Sequence, residues 1–206
     1  YGSGGATVGH GLSVAPEFIL VKRRDSGSGW VSYHPNQDSG TNGERGYMHL
    51  NETQAYADYH EIWADTKPTA SVFKMGSAGN LNANNGTYVA YCFHSVDGYS
   101  KVGSYTGNGN ADGTFVYTGF KPMMVISKYV GTENWNIIDT KRSTYNLMED
   151  LLKPDDNAAE IDTQIDIDFL SNGFKPRINS GFLNGNGHTI IYIAFAETPF
   201  KYSNAR

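Results

Sequence analysis

Apolar and polar positions along this chain alternate in short runs bounded by glycine, asparagine and proline, the pattern of strands joined by turns. The run FILVK, Phe18 to Lys22, follows Pro16 and is apolar for four residues. A run that short predicts a strand covered on both faces. After the turn-rich RRDSGSG comes GWVSYHP, in which Trp30, Ser32 and His34 fall on one face and Val31 and Tyr33 on the other. The two segments predict an antiparallel hairpin with a long loop. SVFKMG predicts a shorter strand, NANNG a turn, and TYVAYCFHSV a strand with Val89, Tyr91 and Phe93 opposite Ala90, Cys92 and His94. EIDTQIDIDF alternates throughout, so Ile161, Thr163, Ile165, Ile167 and Phe169 face a core beneath an outer row of Glu160, Asp162, Gln164, Asp166 and Asp168. TIIYIAFAE closes the pattern with Ile191, Ile193 and Phe195 on one side. Two segments break it. The spacing in Tyr47 to Ser71 fits neither period and predicts a loop with one helical turn ending before Pro68. YNLMEDLLKP predicts a short helix with Leu147, Leu151 and Leu152 inward.

The same pattern occurs twice. SYTGNGNADGTFVYTGFKPMMVISK, from Ser104, repeats the design of the first 22 residues: tyrosine, a glycine-rich segment, proline, an apolar run, lysine. Collinear matches follow: Tyr1 with Tyr105, Pro16 with Pro122, Lys22 with Lys128, Trp30 with Trp135. Further along, Phe73-Lys74 matches Phe174-Lys175, Leu81-Asn82 matches Leu183-Asn184, and Asn84, Thr87 and Phe93 match Asn186, Thr189 and Phe195. Strand phase is kept, since Val89, Tyr91 and Phe93 map onto Ile191, Ile193 and Phe195. A period near 100 residues is too long for a solenoid unit. It predicts two related β units, 1–104 and 105–206, in tandem or fused into one sandwich. The fold class is therefore all-β, an antiparallel sandwich of jelly-roll character built from two internal repeats. The copies differ in their loops, and variable loops on a repeated scaffold are where recognition resides.

Composition narrows the function. The chain has 206 residues, a net charge of -5, 24 glycines and 14 tyrosines. Mild, dispersed acidity argues against nucleic acid, whose partners carry a basic stripe. No run of about 18 apolar residues is present to insert in a membrane as a helix. The single cysteine, Cys92, excludes an intrachain disulfide and reads as a small apolar residue. The chain starts at Tyr1 without a leader pattern and reads as a fragment or a processed product.

The motifs APEFILVKRR…WVSYH, NGTYVAYCFHSVDGYSKVGSYTGNG, DGTFVYTGFKP, DTKRSTYN, IDFLSNGFK and YIAFAETPF, spread from Gly11 to Phe200, resemble a domain of unknown function in tail-fibre-like proteins of marine bacteriophages. Such domains are likened to concanavalin-type or laminin-G-type jelly rolls. The resemblance carries no catalytic residues. It implies a virion component, an adhesin or tail-fibre module that is often a homotrimer among other virion proteins.

Chemistry in the sequence is sparse. A glycosidase needs two carboxylates about 5 to 9.5 Å apart, and Asp162, Asp166 and Asp168 on one strand face lie roughly 7 Å from neighbour to neighbour. The glucanase pattern Glu-x-Asp-x-(x)-Glu is absent, and a solvated acidic row that discourages edge pairing explains the residues as well. NGNADG and KPDDNAAE offer oxygen ligands for calcium without the EF-hand pattern, and turn formation accounts for the first. No cofactor is expected, with calcium the lesser alternative, and no metal spacing links the six histidines. Gly27-Ser28-Gly29 lacks the strand and helix around a nucleophile elbow, and GSGGATVG lacks the ending of a phosphate loop.

Aromatic residues remain. Tyr47, Tyr59 and Trp63 have no clear counterpart in the second copy and lie among Asn, Asp and His, so with His34 and Asn36 they are the candidate ligand-binding residues. Trp30 and Trp135, being repeat-equivalent, read as structural. Together with the resemblance, this gives an expected function: a non-enzymatic module on the virion surface, attaching to a host surface glycan or envelope component. Two alternatives stand beside it, a purely structural virion protein and a polysaccharide depolymerase using Asp162 to Asp168.

Overall fold

The computed structural model of the chain describes residues 5–162 and 165–198. The chain forms two compact units, Tyr1–His94 and Ser95–Arg206.

The first unit contains β1 (Ala6–Gly9), β2 (Phe18–Arg23), β3 (Trp30–Tyr33), a 3-10 turn (Gly43–Arg45), β4 (Gly46–His49), β5 (Ala57–Asp58), β6 (Val72–Met75), α1 (Gly79–Asn82) and β7 (Tyr88–Phe93). A five-stranded antiparallel sheet runs β5-β4-β3-β2-β7, and β1 pairs with β6 in a second, two-stranded sheet. Ile19, Val21, Val31 and Tyr33 from the large sheet pack with Phe73 from the small one and with Ile62, Trp63, Ala78 and Leu81 from the connections. The hairpin of β2 and β3 is antiparallel, as expected, with Val21 opposite Val31, and Val31 and Tyr33 share the face that meets this core.

The second unit contains β8 (Ser100–Thr106), β9 (Val116–Tyr117), β10 (Pro122–Tyr129), β11 (Trp135–Asp139), β12 (Ile167–Leu170), β13 (Gly173–Pro176), α2 (Gly181–Asn184) and β14 (Thr189–Ala196). Its sheets run β11-β10-β14-β8 and β12-β13-β9, all antiparallel. Tyr105, Val125, Ile138, Ile190, Tyr192 and Ala194 of the larger sheet enclose a core with Val116, Ile167, Phe169 and Phe174 of the smaller one.

The two units repeat one another bond by bond. Lys22 lies opposite Trp30 across β2 and β3, and Lys128 lies opposite Trp135 across β10 and β11. The Arg24 N–H donates to the Thr87 carbonyl at 2.8 Å, and the Val130 N–H to the Thr189 carbonyl at 3.1 Å. The Asn82 amide donates to the Gly76 carbonyl, and the Asn184 amide to the Ile178 carbonyl. The lysines share a task. Lys22 Nζ donates to the carbonyls of Arg23, Ser26 and Ser28, and Lys128 Nζ to that of Gly131, so each ammonium gathers carbonyls of the turn after its strand. Val8 opposite Phe73 and Val116 opposite Phe174 extend the correspondence to the small sheets. The match of Tyr1 to Tyr105 lies outside the described residues.

Three expectations are corrected. The units divide before Ser95 rather than after residue 104, because β8 pairs along its length with β14 of the second unit. Residues 145–154 form no helix. Met148, Leu151 and Leu152 make isolated antiparallel bridges to Ile167, Ile161 and Ile137, which take up the backbone groups a helix would have used. Met148 and Leu151 are buried there, whereas Leu147 is 38% exposed. The segment after Tyr47 holds β4 and β5 and a run of turns rather than a helical turn. In EIDTQIDIDF the inward face is as expected at Ile165, Ile167 and Phe169, with Ile161 partly buried against the same core. The continuous ladder begins only at Ile167, and Thr163 and Gln164 lie outside the described residues.

Candidate functional site

The site grows from the β3–β4–β5 corner of the first unit. The chain leaves β3 at Tyr33 and enters a loop that stitches itself together. The Asn36 N–H donates to His34 Nδ1 at 3.1 Å, and the Asn36 amide donates to the Gly40 carbonyl at 2.7 Å. Asp38 accepts from the N–H groups of Gly40 and Asn42. Gln37 is fully buried and donates to the carbonyls of Gly43 and Gly46 at 2.8 and 2.7 Å. Gly43 and Gly46 must be glycine, since a Cβ at either would run into the His34 or the Ala57 carbonyl. This frame fixes where β4 begins, and β4 presents Tyr47 and His49 on one face because they lie two residues apart.

The five candidate residues fall into two groups. His34 is 1% exposed and sets its ring edge-on to Phe18. Trp63 is 2% exposed, packs edge-on against Tyr33 and Phe73, and donates its indole N–H to the Gly46 carbonyl at 3.0 Å. Trp63 is thus a core residue, and neither side chain presents a face to a ligand. Asn36 spends its amide on the loop. Tyr47 and Tyr59 form the surface: Tyr59 is 39% exposed, and their ring centroids lie 6.4 Å apart, edge to face.

Around these two rings the fold gathers polar partners. His49 stacks obliquely on Tyr47 at 4.9 Å, and its Nδ1 lies 2.9 Å from Glu52 Oε2. The Tyr59 hydroxyl donates to Glu61 Oε2 at 2.7 Å, with the His60 ring 6.5 Å from the Tyr59 ring. Arg45 and Asp58 pair at 3.4 Å beside the same strands. Glu61 raises the Tyr59 hydroxyl above its ordinary value through the hydrogen bond it accepts, and burial followed by Glu52 raises that of Tyr47. Burial, reinforced by Asp58, pushes neighbouring Tyr56 up to about 12. All three phenols are therefore neutral hydrogen-bond donors at ordinary pH. The arrangement offers ring faces flanked by carboxylate, imidazole and guanidinium groups, which suits apolar sugar faces bordered by hydroxyls.

Sequence reasoning missed His49, Glu52, His60 and Glu61. The i, i+2 spacing of Tyr47 and His49 on a strand was the available signal for one of them. It also missed the counterpart of Tyr47. The bridge of Leu151 to Ile161 repeats the pairing of Tyr47 with Ala57, so a buried leucine in the second unit stands where the first has a half-exposed tyrosine.

Other groups are engaged elsewhere. Asp168 pairs with Arg177 at 3.0 Å, and Asp112 pairs with both Lys175 and Arg177 at 2.7 Å. Lys175 and then Arg177 hold the Asp112 carboxyl below its usual range. In NGNADG the side chains of Asn108 and Asn110 accept from backbone N–H groups two residues on, and Asn184 donates to both residues. Among the described residues no group of three His, Cys, Asp or Glu is placed to hold a metal ion. Burial pushes the Cys92 thiol up to about 11. A cleft of about 410 Å³ in the second unit is lined by Tyr99, Met123, Met124, Phe195, Ala196 and Glu197, and it is largely apolar.

A family model described as Domain of unknown function (DUF7483) matches residues 1–199. No curated protein and no solved structure matches the chain.

Proposed function

The chain belongs to the DUF7483 family, and we propose that it is a non-enzymatic module on the surface of a bacteriophage virion, of the tail-fibre type, that attaches to a glycan of the host envelope. The observation that carries this reading is the pair of rings at Tyr47, half-buried, and Tyr59, exposed, bordered by His49, Glu52, His60 and Glu61. The loops around that pair are where the two copies differ, and Leu151 takes the place of Tyr47 in the second copy. Binding rests on ring stacking and neutral hydrogen bonds, with no covalent step, no cofactor and no metal. Of the acidic row a depolymerase would use, Asp162, Asp166 and Asp168, the last is paired with Arg177. The module works as a homotrimer beside other virion proteins, and the likeness of its motifs to tail-fibre domains supports that setting.

A glycan array probed with the full chain tests the reading. Tyr59→Ala and Tyr47→Ala should each weaken binding by about tenfold or more, the loss usual for an aromatic anchor. Light scattering should give a trimer. Failure to bind any host glycan or envelope preparation as a trimer, or binding indifferent to both substitutions, would overturn it. If the two substitutions instead break the oligomer, the rings serve an interface and the protein is structural.

A further inference from the structure

The two copies differ at one sheet edge. In the second unit β14 is flanked on both sides, by β10 and by β8. In the first unit β7, its counterpart, pairs with β2 alone among the described residues. The register says which backbone groups this leaves unused. The Arg24 N–H donates to the Thr87 carbonyl, and hydrogen-bonded pairs alternate along an antiparallel ladder. Val89 and Tyr91 therefore point their N–H and C=O groups at β2, and Tyr88, Ala90 and Cys92 point theirs away. The equivalents of those three are Ile190, Tyr192 and Ala194, and these face Tyr105, Gly103 and Lys101 of β8. Burial follows the pairing: Ala90 and Tyr91 are exposed, whereas Tyr192 and Ile193 are buried.

We propose that the β7 edge is an acceptor for a strand of the β8 type, supplied by another repeat of this family. The second unit is the occupied form of the same site, so the partner's chemistry can be read from it. The strand is extended and antiparallel and carries tyrosine opposite position 88. Gly103 is glycine because a Cβ there would meet the Tyr192 ring, a limit that Ala90 does not set in the first unit. Tyr105 is the anchor. It is buried, donates to the Leu183 carbonyl at 2.7 Å and sets its ring edge-on to Phe174. Both contacts have counterparts in the first unit, Leu81 on α1 and Phe73 on β6. Connectivity fits the proposal, because β8 follows β7 directly along the chain and completes the sheet of the unit after it. A repeat of this kind is closed by the strand that its neighbour sends out, which is strand addition used as a joint between repeats.

The test uses the full chain and a labelled peptide with the sequence of Tyr99 to Asn108, YSKVGSYTGN. Anisotropy should show saturable binding that weakens about tenfold for the Tyr105→Ala peptide, as for a buried aromatic anchor. Binding should be lost in an Ala90→Pro chain, where proline removes an N–H that points off the sheet, a change edge strands tolerate. Cys92, the one thiol in the chain, lies on the accepting edge and should be alkylated several-fold more slowly with peptide bound, as its buried equivalent Ala194 implies. That readout needs no substitution in the chain and distinguishes docking on β7 from exchange into the second unit. Absence of binding, binding indifferent to the peptide's tyrosine, or binding without protection of Cys92 would overturn the proposal. So would a dimer of the chain alone that Ala90→Pro dissolves, since the edge would then take a second β7.

Discussion

Lys128 is fully buried, and its side-chain nitrogen donates to the Gly131 carbonyl at 2.7 Å. Burial pulls its pKa down from 10.5 to about 8, with Asp155 and Glu133 opposing the fall. Between those two values the unfolded chain binds the proton and the folded chain does not, so folding stability rises with pH across that window. The rise should reach on the order of 2–3 kcal/mol. Urea midpoints measured from pH 7.5 to 10 should climb in the native chain and stay flat over the lower part of that range in Lys128→Met. The tyrosine hydroxyls raised by burial act the other way, but only above their ordinary value near 10, where the folded state retains protons that the unfolded state loses.

At the scale of elements, each one-turn helix ends on an asparagine whose amide ties it to the loop before it: Asn82 to the Gly76 carbonyl, Asn184 to the Ile178 carbonyl. Asn184 also donates to Asn108 and Asn110 and accepts from the Asn108 N–H. With about 1 kcal/mol for each such bond, Asn184→Ala should lower the midpoint of chemical denaturation clearly and release residues 108–113 to hydrogen exchange. Unchanged exchange there would mean the loop bonds add nothing. The strands were legible in the sequence wherever one face meets a core, as in β2, β3 and the inward row from Ile165 to Phe169, because burial imposes a period of two. The stretch from Tyr145 was misread because leucines at 147 and 151 fit a helical period, while the real determinant, bridges to Ile161, Ile167 and Ile137, lies in distant chain. The same limit applies to the site. Tyr47 and Tyr59 could be singled out as aromatics without a repeat partner, but nothing local distinguishes them from Trp63, whose burial is decided by Tyr33 and Phe73.

For the molecule as a whole, the division into units has a measurable consequence. Among the described residues, the core around Trp63 draws on the first unit and the core around Phe174 on the second. Trp63→Ala removes a large buried side chain and one of the two donors to the Gly46 carbonyl, a loss of about 3–5 kcal/mol. Hydrogen-exchange mass spectrometry should show the loosening confined to peptides before Ser95. Equal loss of protection after Ser95 would mean that both units unfold as one. The second unit brings a chemical clock of its own. Closed protein around Lys128 both lowers its pKa and keeps an activated ester out. When the corner opens, the amine regains the pKa of an ordinary lysine and reacts as one. Acylation of Lys128 therefore counts the moments at which the corner between β10 and β11 stands open, at a position any peptide map can locate.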